Sequence, residues 1–261
     1  MSTPHTLFHV EGPIAFLTFN RPEARNAMTW DMYEALVTAC DHVDTSPSVR
    51  VLVLRGAGDQ AFVAGTDIGQ FTRFSTRDDA IQYERRLDAV IDRLERVQAA
   101  TIAQVRGVAA GGGCAIALAC DLRVCSPEAR FGVPVARTLG NCLSAANYAR
   151  LIDLIGPAKT KEMLFTGQFL SAADAASLGL VARMADAATL DSTARELAAA
   201  IAANAPLTIR ATKEAVRRIQ AARRPNAAAI DDLIALCYGS EDFKEGVSAF
   251  LAKRTPVFKG Q

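Results

Sequence analysis

Two glycine-bearing stretches of the chain have residue types that can bind a carbonyl oxygen through backbone groups. They are residues 62–68, FVAGTDI, and residues 107–114, GVAAGGGC. Each follows a predicted strand and precedes a predicted helix, so N–H groups without helical partners can point into a cleft. Two such amides meeting at one oxygen would stabilise negative charge there, and glycine lets a ligand approach the backbone. Taken alone, the pattern fits close packing of a helix on a strand equally well.

Motifs for most other chemistries are missing from the sequence. The 261 residues contain no G-x-x-x-x-G-K-[ST] phosphate loop, no G-x-S-x-G elbow, no H-E-x-x-H and no C-x-x-C pair. The three histidines, His5, His9 and His42, lie away from any nucleophile or glycine turn, so surface or structural roles are favoured. We therefore expect no permanently bound cofactor and no metal.

The composition is that of an ordinary globular protein. The 29 Lys and Arg residues balance 28 Asp and Glu residues, giving a formal charge of +1, so no general attraction to nucleic acid or to an anionic membrane is expected. The sequence shows neither a signal peptide nor a membrane span. Six cysteines in apolar surroundings are typical of a reducing compartment, and we expect a cytoplasmic protein.

The first half of the chain alternates strand and helix patterns, which predicts an α/β core. Thr6–Val10 and Ile14–Phe19 predict a hairpin, and the apolar run Val49–Leu54 predicts a strand covered on both faces with parallel neighbours. Further strands are predicted at Thr101–Val105 and Leu122–Cys125. Three helices are expected to begin at Thr29, at the capping box of Thr76 and Asp79, and at Gly111-Gly112-Gly113.

From Ser144 onward the strand pattern disappears, and the rest of the chain is predicted to be helical. The expected helices are Ser144–Ile155, Pro157–Phe165, Ala172–Leu178, Leu190–Asn204, Thr208–Ala222, Ala227–Tyr238 and Glu241–Lys253. No linker separates them from the α/β core, so a boundary near residues 195–205 is soft.

Further motifs follow one another in order along the chain. They are Asn20 to Ala27 (NRPEARNA), Ala119 to Arg123 (ACDLR), Thr166-Gly167 with Ser171-Ala172, Asn204-Ala205-Pro206, and the stretch from Ser240 to Phe258. Together with the glycine turns, they resemble the crotonase (enoyl-CoA hydratase/isomerase) superfamily. The resemblance implies a crotonase-like core of repeated ββα units over residues 1–200 and a helical C-terminal trimerisation region over residues 201–261. It also implies a homotrimer, or a homohexamer that is a dimer of trimers.

The resemblance implies an acyl-CoA thioester substrate, with coenzyme A entering only as part of that substrate. The thioester carbonyl is expected to accept hydrogen bonds from the backbone N–H groups of Thr66 and Gly112. Substrate contacts are expected at Arg25, Ala27, Ala64, Gly65, Asp67, Ile68, Gly111, Pro134, Val135, Arg137, Leu139, Phe250 and Lys253, the last two completing a neighbouring subunit's pocket. For Arg25 and Lys253, a solvated surface charge is an equally good interpretation.

Three positions depart from the family pattern. In the hydratases of this family two glutamates hold a water, and the matching residues here are Ala115 and Val135, neither of which can transfer a proton. A third position, often aspartate in the isomerases, is Ser144. Its spacing favours a helix N-cap, and we keep it as a candidate catalytic residue. Packing is the favoured role of Cys114 and Cys142.

Four functions stay open from the sequence. The first is an enoyl-CoA hydratase/isomerase-like enzyme of fatty acid metabolism with an unusual proton relay through Ser144, Asn141 or ordered water. The second is decarboxylation of a malonyl-type thioester, in which Arg137 orients the carboxylate and loss of carbon dioxide generates the enolate. The third is a non-catalytic acyl-CoA-binding protein, and the fourth is a thioester hydrolase.

Overall fold

The computed structural model describes residues 4–73 and 76–261 and divides into two compact units. Unit 1 comprises Met1–Thr66, Val90–Phe131 and Leu170–Ala222, and unit 2 comprises Asp67–Ala89, Gly132–Phe169 and Arg223–Gln261. Each unit is therefore assembled from three separated stretches of the chain. The predicted boundary between residues 1–200 and 201–261 concerns oligomerisation and stays a prediction.

The described residues form ten strands and ten α-helices. The strands are β1 Thr6–Glu11, β2 Ile14–Phe19, β3 Val51–Gly56, β4 Ala61–Val63, β5 Ala100–Val105, β6 Val108–Ala110, β7 Leu122–Cys125, β8 Arg130–Gly132, β9 Leu170–Ser171 and β10 Arg183–Met184. The helices are α1 Trp30–Thr45, α2 Arg77–Glu95, α3 Gly112–Ala119, α4 Val135–Thr138, α5 Ala145–Thr166, α6 Ala172–Ser177, α7 Leu190–Ala202, α8 Pro206–Ala221, α9 Asp231–Tyr238 and α10 Glu241–Leu251. Short 3₁₀ helices cover Pro22–Ala24, Ile68–Arg73 and Ala227–Ile230.

The larger sheet belongs to unit 1 and has the strand order β1-β2-β3-β5-β7-β10. Its first pair is antiparallel and every other pair is parallel. Val51 in β3 lies opposite Ile14 on one side and Ala100 on the other. These buried residues pack with Leu190 and Ala198 of α7 in one apolar cluster. The predicted hairpin and the predicted parallel α/β core are therefore confirmed.

A smaller sheet has the order β4-β6-β8-β9 and was not predicted. Its strands are two or three residues long, too short to show an alternating pattern. The expectation that no strand follows Ser144 is wrong, because β9 pairs with β8 and β10 pairs with β7. Such short strands are specified by partners distant in the sequence.

The helix starts agree with the predicted caps. The hydroxyl of Thr29 accepts the N–H of Met32, and Thr76 and Asp79 bond each other reciprocally, as a capping box requires. The two helices predicted at Ser144–Ile155 and Pro157–Phe165 are also confirmed, because α5 is interrupted between them at Gly156, which has a non-helical φ of 75° and ψ of 162°. Gly156, which Pro157 follows, therefore bends the chain between the two helical segments.

Helix α3 is held closely in unit 1 at both ends. A side chain at Gly113 would place its Cβ 2.2 Å from the carbonyl oxygen of Val63, so only glycine allows this approach to β4. At the other end, the buried guanidinium of Arg123 donates to the carbonyl oxygens of Ala117, Leu118, Cys120, Asp121 and Leu180. Arg123 therefore satisfies carbonyls at the end of α3 that have no partner within the helix.

Replacing Arg123 removes these five hydrogen bonds and leaves buried carbonyl groups without a donor. We expect Arg123→Met to lower the free energy of unfolding by on the order of 3 kcal/mol, measured by urea denaturation. The control, Arg96→Met at an exposed position, should change it by less than about 0.5 kcal/mol. Equal stability of the two variants would show that Arg123 does not anchor α3.

Candidate active site

The two glycine turns meet in unit 1. A Cβ added to Gly111 would lie 3.8 Å from Cα of Gly65, and one added to Gly65 would lie 3.6 Å from the carbonyl oxygen of Ala110. Both glycines have positive φ, 121° at Gly65 and 51° at Gly111, a backbone conformation that other residues rarely adopt. The structure thereby brings Thr66 beside Gly112, whose added Cβ would lie 3.0 Å from Oγ1 of Thr66.

Gly112 is the first residue of α3, so its N–H has no partner within the helix. The first turn of a helix also has a partial positive charge, which favours an anionic oxygen nearby. Thr66 is held in place because Met28 forms a parallel bridge with it and the N–H of Met28 donates to the carbonyl of Gly65 at 2.9 Å. The backbone at both positions is thus fixed before any ligand arrives.

Tyr33, on the buried side of α1, was missed by the sequence reasoning. Its hydroxyl forms a hydrogen bond of 2.9 Å with Oγ1 of Thr66, and an added Cβ at Gly112 would lie only 2.4 Å from that hydroxyl oxygen. Tyr33 is fully buried, so it cannot move aside freely. It therefore both orients Thr66 and requires glycine at position 112. Nothing in the spacing of α1 distinguishes this tyrosine from an ordinary core residue.

The loop that carries Arg25 and Ala27 is tied to the same turns. The N–H of Ala64 donates to the carbonyl of Arg25 at 3.0 Å. Between the two residues, buried Asn26 donates from its side chain to the carbonyls of Ala57 and Ala61. Unit 1 therefore brings together seven of the predicted residues: Arg25, Ala27, Ala64, Gly65, Thr66, Gly111 and Gly112.

Unit 2 contains the other nine predicted residues. Asp67 accepts the N–H of Gly69 and starts the 3₁₀ helix that contains Ile68. Pro134 is the N-cap of α4, which contains Val135 and the exposed Arg137 and is followed by buried Leu139. Phe250 (51% exposed) and Lys253 lie near the end of α10 and are exposed, as contact with a neighbouring subunit would require.

Ser144 is the N-cap of α5, as its spacing predicts. Its hydroxyl accepts the N–H of Asn147 at 3.3 Å and donates to Oδ1 of Asp88 at 2.7 Å. Asp88 also lies 3.9 Å from the buried guanidinium of Arg150, which donates to Oδ1 of Asn147 at 3.0 Å. Asp88 is therefore paired with a cation and fixes the start of α5.

A second carboxylate, Glu84, lies one turn before Asp88 on α2 and is 4% exposed. The hydroxyl of Tyr238 donates to its Oε1 at 2.5 Å, and Nδ2 of Asn141 donates to the same hydroxyl at 2.9 Å. Burial raises the pKa of Glu84 to about 8, and the charge of Asp88 adds to that rise. The hydrogen bonds from Tyr238 and from the backbone N–H of Ser144 only partly oppose it.

The sequence reasoning missed Glu84 and Asp88, although one signal was present. Glu84 comes four residues after Ala80 and three before Leu87, both buried, so it sits at the apolar spacing of α2. A glutamate at such a position is rarely buried unless its carboxyl is paired or hydrogen-bonded, because removing its charge from water is unfavourable.

All six cysteines are free. Cys142 and Cys237 are hydrogen-bonded, which raises the pKa of Cys142 and lowers that of Cys237. Within residues 4–73 and 76–261, no group of three or more His, Cys, Asp or Glu side chains is placed to hold a metal ion. No helix in that part of the chain is long and apolar enough to cross a bilayer.

Comparisons with known proteins match nearly the whole chain. A model of the Enoyl-CoA hydratase/isomerase family matches residues 9–261. The chain is 33% identical over 255 residues to the Short-chain-enoyl-CoA hydratase of Clostridium acetobutylicum, covering 97% of each. It superposes on an enoyl-CoA hydratase/carnithine racemase from Magnetospirillum magneticum with a TM-score of 0.80, 31% identity and coverage of 100% and 97%. For a methylmalonyl-CoA decarboxylase in complex with 2-nitronate-propionyl-CoA, the TM-score is 0.90, with 25% identity and 100% coverage of both chains.

The raised pKa of Glu84 predicts a pH-dependent stability. Below its ordinary pKa of 4.5 the carboxyl is neutral in both states; between 4.5 and about 8 it ionises only on unfolding, so the free energy of unfolding falls as pH rises. At pH 8 we expect Glu84→Gln to be more stable than wild type by on the order of 3 kcal/mol. At pH 4.5 the difference should nearly vanish.

Urea denaturation at both pH values measures this effect. Glu162→Gln, an exposed glutamate of the same unit, is the matched control and should change stability little at either pH. A Glu84→Gln protein that is less stable than wild type at pH 8 would contradict the raised pKa.

Proposed function

The chain belongs to the enoyl-CoA hydratase/isomerase family, and from this premise we propose that it stabilises the enolate of an acyl-CoA thioester between the backbone N–H groups of Thr66 and Gly112. One observation carries the proposal. The two glycine turns approach so closely in unit 1 that position 112 has no room for a side chain beside Tyr33 and Thr66.

This arrangement suits charge that appears during reaction. A thioester carbonyl becomes an oxyanion when a proton or a carboxylate leaves the adjacent carbon, and fixed amides stabilise that charge without rearranging. Removing a single donor from such a site typically lowers turnover about 10²-fold to 10³-fold. The same proposal has Arg25, Ala27, Asp67 and Ile68 contact the coenzyme A part of the substrate. It has Pro134, Val135, Arg137 and Leu139 contact the acyl group.

A second candidate is decarboxylation of a malonyl-type thioester. Two observations favour it: the TM-score of 0.90 to a methylmalonyl-CoA decarboxylase, and the exposure of Arg137, for which the described residues give no ion pair. In that reaction the departing carbon dioxide leaves its electron pair in the enolate, so no base is required. Hydration, in contrast, usually uses two glutamates in this family, and the matching residues here, Ala115 and Val135, have no carboxyl group.

We also propose that residues 201–261 join copies of this chain into a trimer or a hexamer. We further propose that the protein acts in the cytoplasm. Seven large apolar side chains of this stretch are at least half exposed: Leu207, Val216, Ile219, Leu236, Phe250, Leu251 and Val257. Contact with another copy would remove these apolar side chains from water.

Incubation in D₂O with crotonyl-CoA, a 3-enoyl-CoA, a malonyl-type CoA and a saturated acyl-CoA distinguishes the candidate functions. We expect mass spectrometry to detect deuterium at the carbon next to the thioester, because an enolate gains deuterium there when it is protonated by groups that have equilibrated with D₂O. Loss of carbon dioxide would favour the decarboxylase. Release of coenzyme A without exchange would instead identify a hydrolase, and binding without any product would identify a non-catalytic protein; either outcome would refute the proposal.

Gly112→Ala tests the oxyanion site directly. Its Cβ would lie 2.4 Å from the hydroxyl oxygen of Tyr33, so the amide must shift, and we expect the exchange rate to fall about 10²-fold. Tyr33→Phe removes the clashing oxygen, and the double variant should recover part of the rate lost in Gly112→Ala. Binding of acyl-CoA by calorimetry separates turnover from affinity. A double variant no faster than Gly112→Ala would argue against this geometry.

A further inference from the structure

Two cysteine side chains that have no part in the proposed function lie against each other in unit 2. Cys142 is in the loop between α4 and α5, and Cys237 is in the last turn of α9. Their thiols are hydrogen-bonded to each other. Five of the six cysteines are buried, and Cys237 is the one that is partly exposed. Two thiols in contact, one of them within reach of solutes, can react in ways that an isolated buried thiol cannot.

We propose that Cys142 and Cys237 form a reversible disulfide bond when the protein is exposed to a peroxide. Cys237 is the thiol that reacts with the peroxide, and Cys142 is the thiol that then closes the bond. This modification site lies outside the residues assigned to the thioester, so the inference goes beyond the proposed function and does not depend on it. The oxidant is hydrogen peroxide or an organic peroxide, and a small thiol reverses the reaction.

Contacts between the loop before α5 and the last turns of α9 hold the two thiols together. Sγ of Cys142 lies 3.6 Å from the carbonyl oxygen of Leu233. In an α-helix that carbonyl accepts the N–H of the residue four positions later, which here is Cys237. One residue earlier in the loop, Nδ2 of Asn141 donates to the hydroxyl of Tyr238 at 2.9 Å. Two neighbouring residues of the loop therefore contact two neighbouring residues of the helix.

This arrangement requires little movement to form a disulfide. The S–S bond is about 2.0 Å long, and it forms between side chains whose Cβ atoms are about 3.5–4.5 Å apart. Hydrogen-bonded thiols have their sulfur atoms near each other already, so side-chain rotation supplies most of the approach. Residues 140–144 have no helix or strand structure, and Cys142 can move toward α9 without breaking either.

The two thiols differ in the way that the reaction requires. The hydrogen bond with Cys142 lowers the pKa of Cys237 to about 7, and burial only partly opposes this effect. Cys237 is therefore partly a thiolate at neutral pH, which is the form that attacks a peroxide. The pKa of Cys142 is raised, first by its hydrogen bond with Cys237 and then by burial. Once Cys237 is oxidised and no longer an anion, the first of these causes is removed.

The chemical steps balance with one peroxide molecule. The thiolate of Cys237 attacks one peroxide oxygen and the O–O bond breaks, giving a sulfenic acid and a hydroxide that takes up a proton to become water. The sulfur of Cys142 then attacks the sulfur of Cys237, the S–O bond breaks, and the leaving hydroxide combines with the thiol proton of Cys142. Two thiols and one hydrogen peroxide give one disulfide and two waters. The sulfurs are oxidised and the peroxide is reduced.

The disulfide would keep the oxidation of Cys237 reversible. A sulfenic acid that finds no thiol is oxidised further to a sulfinic acid, which thiols do not reduce, whereas a disulfide is reopened by thiol exchange. In a reducing compartment such bonds are transient and respond to oxidants. Cys237 lies 95 positions after Cys142 in the chain, so the bond also closes a long loop and constrains the unfolded state.

Peptide mapping of the full-length protein tests the inference. The reduced protein is treated with hydrogen peroxide, its remaining thiols are labelled with iodoacetamide in denaturant, and it is digested without reductant for mass spectrometry. We expect a cross-linked peptide pair that contains Cys142 and Cys237, lacks two hydrogen atoms and separates on treatment with dithiothreitol. The thiol of Cys237 should be lost at least about tenfold faster than those of Cys40, Cys120 and Cys125.

Single variants assign the two roles. In Cys142→Ala we expect peroxide to leave added oxygen on Cys237 that dithiothreitol does not fully remove, at a dose from which the wild-type protein recovers completely. In Cys237→Ala the buried thiol of Cys142 should stay reduced, because it reacts only after Cys237 has been oxidised. Cys40→Ala is the matched control: it removes a buried thiol of unit 1 and should leave the cross-link unchanged.

Three results would overturn the inference. The first is a peroxide-treated wild-type protein that lacks the cross-linked peptide, and the second is a cross-link between the Cys237 residues of two copies, seen as a band of two chains on a non-reducing gel. The third is complete recovery of Cys237 in Cys142→Ala. If that variant does not fold, the wild-type peptide map decides alone. No acyl-CoA enters these experiments, so failure of the proposed function would leave their outcome unchanged.

Discussion

The close approach of α3 to the turn at Gly65 is the constraint on which the candidate site depends. At positions 112 and 113 a methyl group would meet the hydroxyl of Tyr33 or the carbonyl of Val63 at less than 2.5 Å. Because these contacts involve backbone and fully buried groups, the position of the Gly112 amide is set by packing within unit 1. An amide fixed in this way can stabilise developing charge without rearranging, which is the source of most of the benefit of an oxyanion site.

The site residues that the sequence predicted are those with local signals. Gly65, Thr66 and Gly112 lie in turns whose glycines mark them, and Ser144 has the spacing of an N-cap. The parallel sheet was predictable because β3 is a continuous apolar run. In each case the information lies within a few residues of the structure that it specifies.

What the sequence could not predict depends on partners far away along the chain. The two-residue strands β9 and β10 exist because β8 and β7 hold them, and Arg123 matters because of carbonyls that include Leu180. Tyr33 and Glu84 look like members of apolar helix faces until their neighbours are known. Their roles come from contacts with Thr66 and Tyr238, 33 and 154 residues away.

The pKa values of the cysteine thiols determine how readily the proposed substrates can alkylate them. An α,β-unsaturated thioester is a Michael acceptor, and it alkylates thiolates far faster than thiols. Burial raises the pKa of Cys40 and Cys120 to about 12 and that of Cys125 to about 11, so these sulfurs stay protonated and inert. Cys237 is partly exposed and has a lowered pKa, so of these thiols it is the one that is least protected from alkylation by protonation and burial.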